Sequence, residues 1–199
     1  MSSCREEFFF YGIIVVMIGI SIKLFLESDA YNLTCVVSTV DGEKYCVRER
    51  ENLDKSADLL AKVAGKCKTL VAFMKKKYPD RDDVDRLYNG FSSTKITETL
   101  PTSTLTAYSE NKGQKIAFCL NKKKGGTELI DMNTLTFVAI HELSHIMTLS
   151  VGHKQEFWEN FKFLLEGATE IGIYQPEDYK EKPKEYCSMM IKDNPYYDV

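Results

Sequence analysis
The alternation of apolar and polar positions divides this chain into one uninterrupted apolar run and a longer part in which two periodicities take turns. Between Phe8 and Leu26 nearly every position is apolar, and Lys23 carries the one charge. At 1.5 Å per residue a helix of that length just crosses the roughly 30 Å hydrocarbon core of a bilayer, with Lys23 snorkelling to the interface. The cluster Phe8-Phe9-Phe10-Tyr11 then sits at one membrane surface. Further on, residues 33–40 and 44–47 are rich in Val, Thr, Tyr and Cys and flank Asp41-Gly42, a strong hairpin signal. Residues 52–78 switch to helical spacing: Leu53, Leu60, Val63, Ala64, Cys67, Leu70, Val71 and Met74 recur at three and four. Lys75, Lys76 and Lys77 suit the negative end of that helix, and Pro79 stops it.

A short helical turn over 82–88 follows, closed by Asn89-Gly90. Residues 94–99, 104–109 and 115–120 are rich in Thr, Ile, Tyr and Phe and read as strands, with Asn111-Lys112-Gly113 turning between the last two. The strand over 115–120 is the candidate edge for pairing with an extended peptide, the alternative being an interior strand. Residues 121–126, Asn-Lys-Lys-Lys-Gly-Gly, form a basic loop. A helix then starts at a cap, Asp131 or Asn133, and carries Leu135, Val138, Ile140, Leu143, Ile146 and Met147 on an apolar surface wide enough to be buried. Ser150-Val151-Gly152 breaks it. Phe157, Trp158, Phe161, Leu164, Leu165 and Ala168 mark a further helix, with Phe157 and Trp158 expected to brace the one before. Residues 175–199 carry Pro176, Pro183 and Pro195 and read as irregular; Tyr186 is a packed surface residue or an oxyanion donor.

Charge and cysteine usage refine this picture. The net charge of −3 leaves no broad basic field, so no nucleic-acid partner is expected. Of six cysteines, Cys4 precedes the apolar run and five follow it, none in C-x-x-C spacing. The Asp41-Gly42 turn brings Cys35 and Cys46 opposite or diagonal to one another, within bridging range if the compartment is oxidising. Five is odd, so at least one of them stays free. Asn32-Leu33-Thr34 is a glycosylation sequon, meaningful only on an external face. Ser28-Asp29-Ala30 is a poor cleavage site. The apolar run therefore reads as a retained single-pass anchor, with the main domain across the membrane; a cleaved leader would leave a soluble chain.

All three histidines, His141, His145 and His153, fall within thirteen residues. In a helix His141 and His145 stand one above the other on one face, spaced to hold one Zn²⁺ at about 2.0–2.1 Å per bond. Glu142, one step round, can take a proton from water and later give it to a leaving amine. This is the H-E-x-x-H pattern of zinc peptidases. The plainer alternative makes them ordinary helix positions with Glu142 a solvated charge. A buried imidazole pair, however, needs partners for its nitrogens, and zinc supplies them. A third ligand is required with the fourth position left open. His153, just past Gly152, is the first candidate, and Glu166 on the next helix is the other.

The stretch HELSHIMTLSVGHKQEFWENFKFLLEGA resembles the core of the WLM and SprT-like zinc metallopeptidases. Their pattern of H-E-L-x-H, a short loop, a His and then Phe-Trp is met by His141-Glu142-Leu143-Ser144-His145, Gly152-His153 and Phe157-Trp158. The similarity covers about residues 116–167 and is thin elsewhere. The loop before His153 is about two residues longer than that pattern has. The anchored, Lys-rich character also resembles membrane proteins of large DNA viruses.

Together these features imply an α+β fold: a tail and anchor over 1–30, then a zincin-like domain over 31–199 with a small mixed or antiparallel sheet and an active-site helix. The expected function is a membrane-anchored zinc metallopeptidase, with Glu142 catalytic and His141, His145 and His153 holding zinc. Its partners are then a peptide or protein substrate and, through residues 8–26, a membrane. It would be single-pass, with its main domain on the non-cytoplasmic side or in a virion membrane. The reading from a different class is a zinc-stabilised structural or interaction protein of a membrane or virion that no longer turns over.

Overall fold
The three-and-four spacing of apolar residues over 52–78 produces the long helix it predicts. The structure, a computed structural model, describes residues 2–26, 33–91 and 95–198, with side chains from Phe8 onward. The elements are α1 (Ser2–Leu26), β1 (Leu33–Val37), β2 (Lys44–Arg48), α2 (Leu53–Lys77), α3 (Asp82–Phe91), β3 (Lys95–Glu98), β4 (Ala107–Glu110), β5 (Lys115–Phe118), α4 (Met132–Met147), α5 (Gln155–Glu170), β6 (Lys184–Tyr186) and β7 (Met189–Ile191), with a 3₁₀ turn at Pro195–Tyr197. Asn32 of the sequon, Thr94, the Cys4 side chain, the Ser28-Asp29-Ala30 site and the expected boundary at residue 30 lie outside the described residues.

Five strands form a mixed sheet in the order β1-β2-β3-β5-β4. The hairpin β1–β2 is antiparallel, and its register sets Cys35 directly opposite Cys46, where they form a disulfide. Strands β2, β3 and β5 run parallel, and β4 returns antiparallel beside β5. The β2–β3 pairing is short and is reinforced by buried charge: Glu98 accepts the Arg48 backbone N–H at 2.8 Å and pairs with the Arg50 guanidinium at 2.6 Å. Such a pair stabilises mainly because removing either partner would strand the other in low dielectric. Helix α2 packs on β1, β2 and β3 and also on α4 and α5, so one apolar core runs through sheet and helices.

Three expectations change. Residues 115–120 are not an edge: β5 pairs on both sides, and Ile116, Ala117 and Phe118 are fully buried, as a central strand requires. The edge is β4. Helix α3 runs through Asn89-Gly90 to Phe91, because Gly90 serves close packing and not a stop. A Cβ there would lie 2.6 Å from Ile146 Cγ2 and 2.8 Å from the Lys112 carbonyl oxygen. The tail is not wholly irregular: β6 and β7 pair antiparallel, and a second disulfide joins Cys187 to Cys119. Cys67 is free and buried.

Candidate metal centre
Helix α4 begins where Asp131 caps it, its carboxylate accepting the Thr134 N–H at 2.9 Å and the Thr134 hydroxyl at 2.8 Å. Asn133, the other candidate cap, instead holds the tail through the backbone of Gln175. Twelve of the sixteen residues of α4 are buried, so its polar side chains must find partners inside the protein. The hydroxyls do so within the helix: Thr136 donates to the Met132 carbonyl at 2.6 Å and Ser144 to the Ile140 carbonyl at 2.8 Å. His141, Glu142 and His145 find nothing of that kind in their own helix.

The three histidines converge. His153 Nε2 lies 3.1 Å from His141 Nε2 and 3.2 Å from His145 Nε2. Tetrahedral coordination with bonds of about 2.0–2.1 Å puts neighbouring ligand atoms roughly 3.3 Å apart, close to both separations. These three are the group of His, Cys, Asp and Glu side chains, among the described residues, whose ligand atoms come within reach of one ion. Glu166 is exposed on α5 and is not part of that group. Phe157 is fully buried beneath the cluster, its ring centroid 4.9, 4.4 and 4.6 Å from those of His141, His145 and His153. Trp158 stands at the mouth, 40% exposed and 5.8 Å from the His153 ring. Phe157 thus braces the histidine face of α4, while Trp158 packs on His153, Phe157 and Phe161.

Electrostatics favour neutral imidazoles. Burial, and then the charges His145 and His153 would carry, push His141 down to about 3. Burial, His153 and Lys112 push His145 down to about 4. Both rings therefore keep a lone pair for a metal at neutral pH. Glu142 is 4% exposed, its Oε2 has no hydrogen-bond partner among the described residues, and burial pushes it up to about 8. An unpaired buried carboxylate is costly unless something cationic or donating sits beside it. Three convergent imidazoles fit a divalent zinc-like ion, and the buried Glu142 follows His141 directly on the same helix.

Tyr186 is buried close enough to Glu142 that this carboxyl, after burial, helps to hold its hydroxyl proton on. It is 1% exposed, and its hydroxyl donates to the Thr106 carbonyl at 3.1 Å, just ahead of the edge strand β4. Two residues with a bearing on the site were not singled out in sequence. Lys112 and Glu156 bind the backbone of the loop that carries His153. Their signal was faint, since Lys112 reads as a turn residue and Glu156 as an ordinary first-turn acid.

The WLM domain model matches residues 42–193, and the chain belongs to that family, which is of zinc metallopeptidase type. An uncharacterised protein of Acanthamoeba polyphaga mimivirus is 26% identical over 163 residues, covering 80% of this chain and 82% of that one. Similar proteins of Invertebrate iridescent virus 6 and Invertebrate iridescent virus 3 are 36% and 33% identical, over 41% and 51% of this chain. Those alignments span 44% and 58% of the two iridescent virus proteins. Crystal structures of Wss1 from Saccharomyces cerevisiae and of a Wss1 mutant align with TM-scores of 0.47 and 0.48 at 21% and 20% identity. They cover 61% and 63% of this chain, and 83% and 86% of theirs.

Proposed function
We propose that this chain is a zinc-dependent peptidase held at a membrane by residues 8–26, with its domain on the non-cytoplasmic side or in a virion membrane. The observation that carries the reading is the meeting of three imidazole Nε2 atoms, with the buried Glu142 carboxyl, its Oε2 unpartnered, next along the helix from His141. His141, His145 and His153 are the ligands. Bound there, zinc would supply Lewis acidity toward a peptide carbonyl and acidify water. Glu142 takes the proton from water at Oε2 and returns it to the departing amine. Its exclusion from bulk solvent raises its basicity toward the working pH. The edge strand β4 offers its free backbone edge to an extended substrate, in place of the interior β5. Structural zinc sites close the tetrahedron with four protein ligands, so a three-ligand set favours catalysis over the purely structural role.

The membrane part rests on α1. From Phe8 to Leu26 its mean hydropathy is 2.3 and none of it is buried. The disulfides Cys35–Cys46 and Cys119–Cys187 suit an oxidising compartment, which supports placing the domain away from the cytoplasm. The test pairs two measurements on the full-length chain in detergent. Metal analysis should find about one zinc per chain, and a peptide library should be cleaved. Glu142→Gln should keep the zinc and lose cleavage by about a hundred- to ten-thousandfold. Zinc without cleavage in the parent chain would return the structural role.

A further inference from the structure
We infer that Lys112 and Glu156 are positioning residues that hold the loop between α4 and α5, and through it His153, against His141 and His145; this rests on the zinc reading above. His153 is the one histidine of the three that lies off α4 and is exposed. A helix backbone fixes His141 and His145 relative to each other, but a loop residue receives no such direction. The loop must be held by something else.

It is gripped from two sides. From the first turn of α5, Glu156 accepts the Leu149 N–H at 2.8 Å on one carboxylate oxygen and the Ser150 N–H at 3.1 Å on the other. From the turn between β4 and β5, the Lys112 ammonium donates to the carbonyls of His145 at 3.1 Å, Thr148 at 2.6 Å and Ser150 at 3.3 Å. An ammonium has three donors, and here three carbonyls at a helix end, where the backbone leaves acceptors unpaired, take all of them. Ser150 is thus held by its N–H from one side and by its carbonyl from the other. Arg86 adds a bond to the Met147 carbonyl, and Asn160 donates to the Thr148 hydroxyl at 3.0 Å.

The turn that delivers Lys112 is itself shaped for the task. Asn111, Lys112 and Gly113 have φ of 48°, 55° and 112°, and a lysine in the left-handed region is strained. Gly90 and Gly113 let this turn settle onto α3 and Ile146, since a Cβ on Gly113 would sit 2.4 Å from the Gly90 carbonyl oxygen. Strain kept at a lysine whose three donors all point to the end of the metal helix is accounted for by what those bonds hold.

A role in folding alone would also weaken the protein, so the test separates the two. Zinc affinity is measured on the full-length chain in detergent by competition with a chromophoric chelator. Glu156→Gln, which keeps the side-chain shape, should weaken zinc binding about three- to tenfold, and Lys112→Met by a similar factor. Lys112→Arg should recover affinity to within about twofold. Hydrogen exchange at the Leu149 and Ser150 amides should speed up in Glu156→Gln. The deciding measurement repeats Glu156→Gln in a His153→Ala background, where a residue acting through His153 has nothing left to position, so its effect should vanish. An unchanged affinity in Glu156→Gln, or an equal loss with and without His153, would overturn the inference. If the unsubstituted chain binds no zinc at all, the zinc reading falls first and this one with it.

Discussion

Helices α1 and α4 are both apolar over most of their surface, yet α1 exposes its side chains from Phe8 to Leu26 while α4 buries twelve of sixteen. What separates them is the polar minority. Between Phe8 and Leu26 of α1 that minority is Ser21 and Lys23. Neither needs a fixed partner, because a serine bonds back to its own helix and a lysine near the end snorkels. In α4 the minority is Asn133, which bonds the backbone of Gln175, and Thr134, Thr136, His141, Glu142, Ser144 and His145. The hydroxyls are satisfied locally, which leaves two imidazoles and a carboxylate whose chemistry is unspent. An apolar helix that retains unsatisfied titratable groups in a core is a place to look for function.

The largest effect comes from putting one charge into each helix. Ala139 is fully buried in α4, so Ala139→Asp buries an unpaired carboxylate and should cost more than about 4 kcal/mol, leaving no folded domain by circular dichroism. Val16 is 60% exposed in α1, and Val16→Asp should leave the domain's melting temperature unchanged. It should instead weaken insertion by about 2.5–3.5 kcal/mol, read as protein released from the carbonate-washed membrane pellet. If Val16→Asp unfolded the domain, α1 would be a core helix and the contrast would collapse.

What could be read in sequence follows the same division. Helices held by their own apolar stripes were legible: the pattern over 52–78 became Leu53–Lys77, and the capped motif helix became Met132–Met147. The Cys35–Cys46 pair was legible because eleven residues and one turn decide it. The Cys119–Cys187 link was not, since it joins residues 68 apart through a hairpin of three-residue strands with no strong local signal. Sheet order was hidden for a similar reason. Nothing local to Lys115–Phe118 says which chain will lie on its other side. The three histidines were singled out in sequence, whereas Lys112 and Glu156 act on loop backbone that only the folded chain brings to them.

The pH dependence of the metal-stripped protein sharpens the difference. Glu142, raised to about 8 from an unfolded value near 4.5, holds its proton more tightly in the folded chain. Its contribution is present below pH 4.5 and fades as pH rises through the folded value. His141 and His145, lowered to about 3 and 4, have the opposite sign: their contribution is present above about 6.5 and is lost as pH falls. Between pH 6.5 and 8 the Glu142 loss outweighs the gain from the two histidines, whose unfolded imidazoles are still half protonated at pH 6.5. Stability of the metal-free chain should fall there by about 1 kcal/mol net, from a slope of 1.36 kcal/mol per unit for Glu142 partly offset by the histidines. Urea melts at the two pH values check it, and in Glu142→Gln the decline should be absent.

The third ligand gives a smaller and more local effect. His153→Ala removes one of the three convergent nitrogens and should weaken zinc at least about tenfold, or 1.4 kcal/mol. Glu166→Ala should change it by less than about twofold, because Glu166 is exposed outside the cluster. Equilibrium titration of both variants reads the order directly. The reverse order would make the site a two-His, one-Glu type and remove the reason for the loop clamps.

The smallest effect tests whether α4 needs its polar start. Asp131 satisfies the Thr134 N–H and hydroxyl together, at a helix end whose first N–H groups have no partner of their own. Asp131→Ala should therefore cost about 1 kcal/mol, which in a domain of this size lowers the melting temperature by about 2–4 °C. Zinc affinity should stay within about twofold, because His141 and His145 lie three turns further along and the packed core holds the helix there. The comparison predicts this decoupling: α4 is kept helical by burial along its length, and the cap only finishes its end. A loss of zinc affinity beyond about fivefold, with melting otherwise little changed, would show that the cap sets the register of the histidine face. The helix would then be specified from its N-terminus and not from its buried sides.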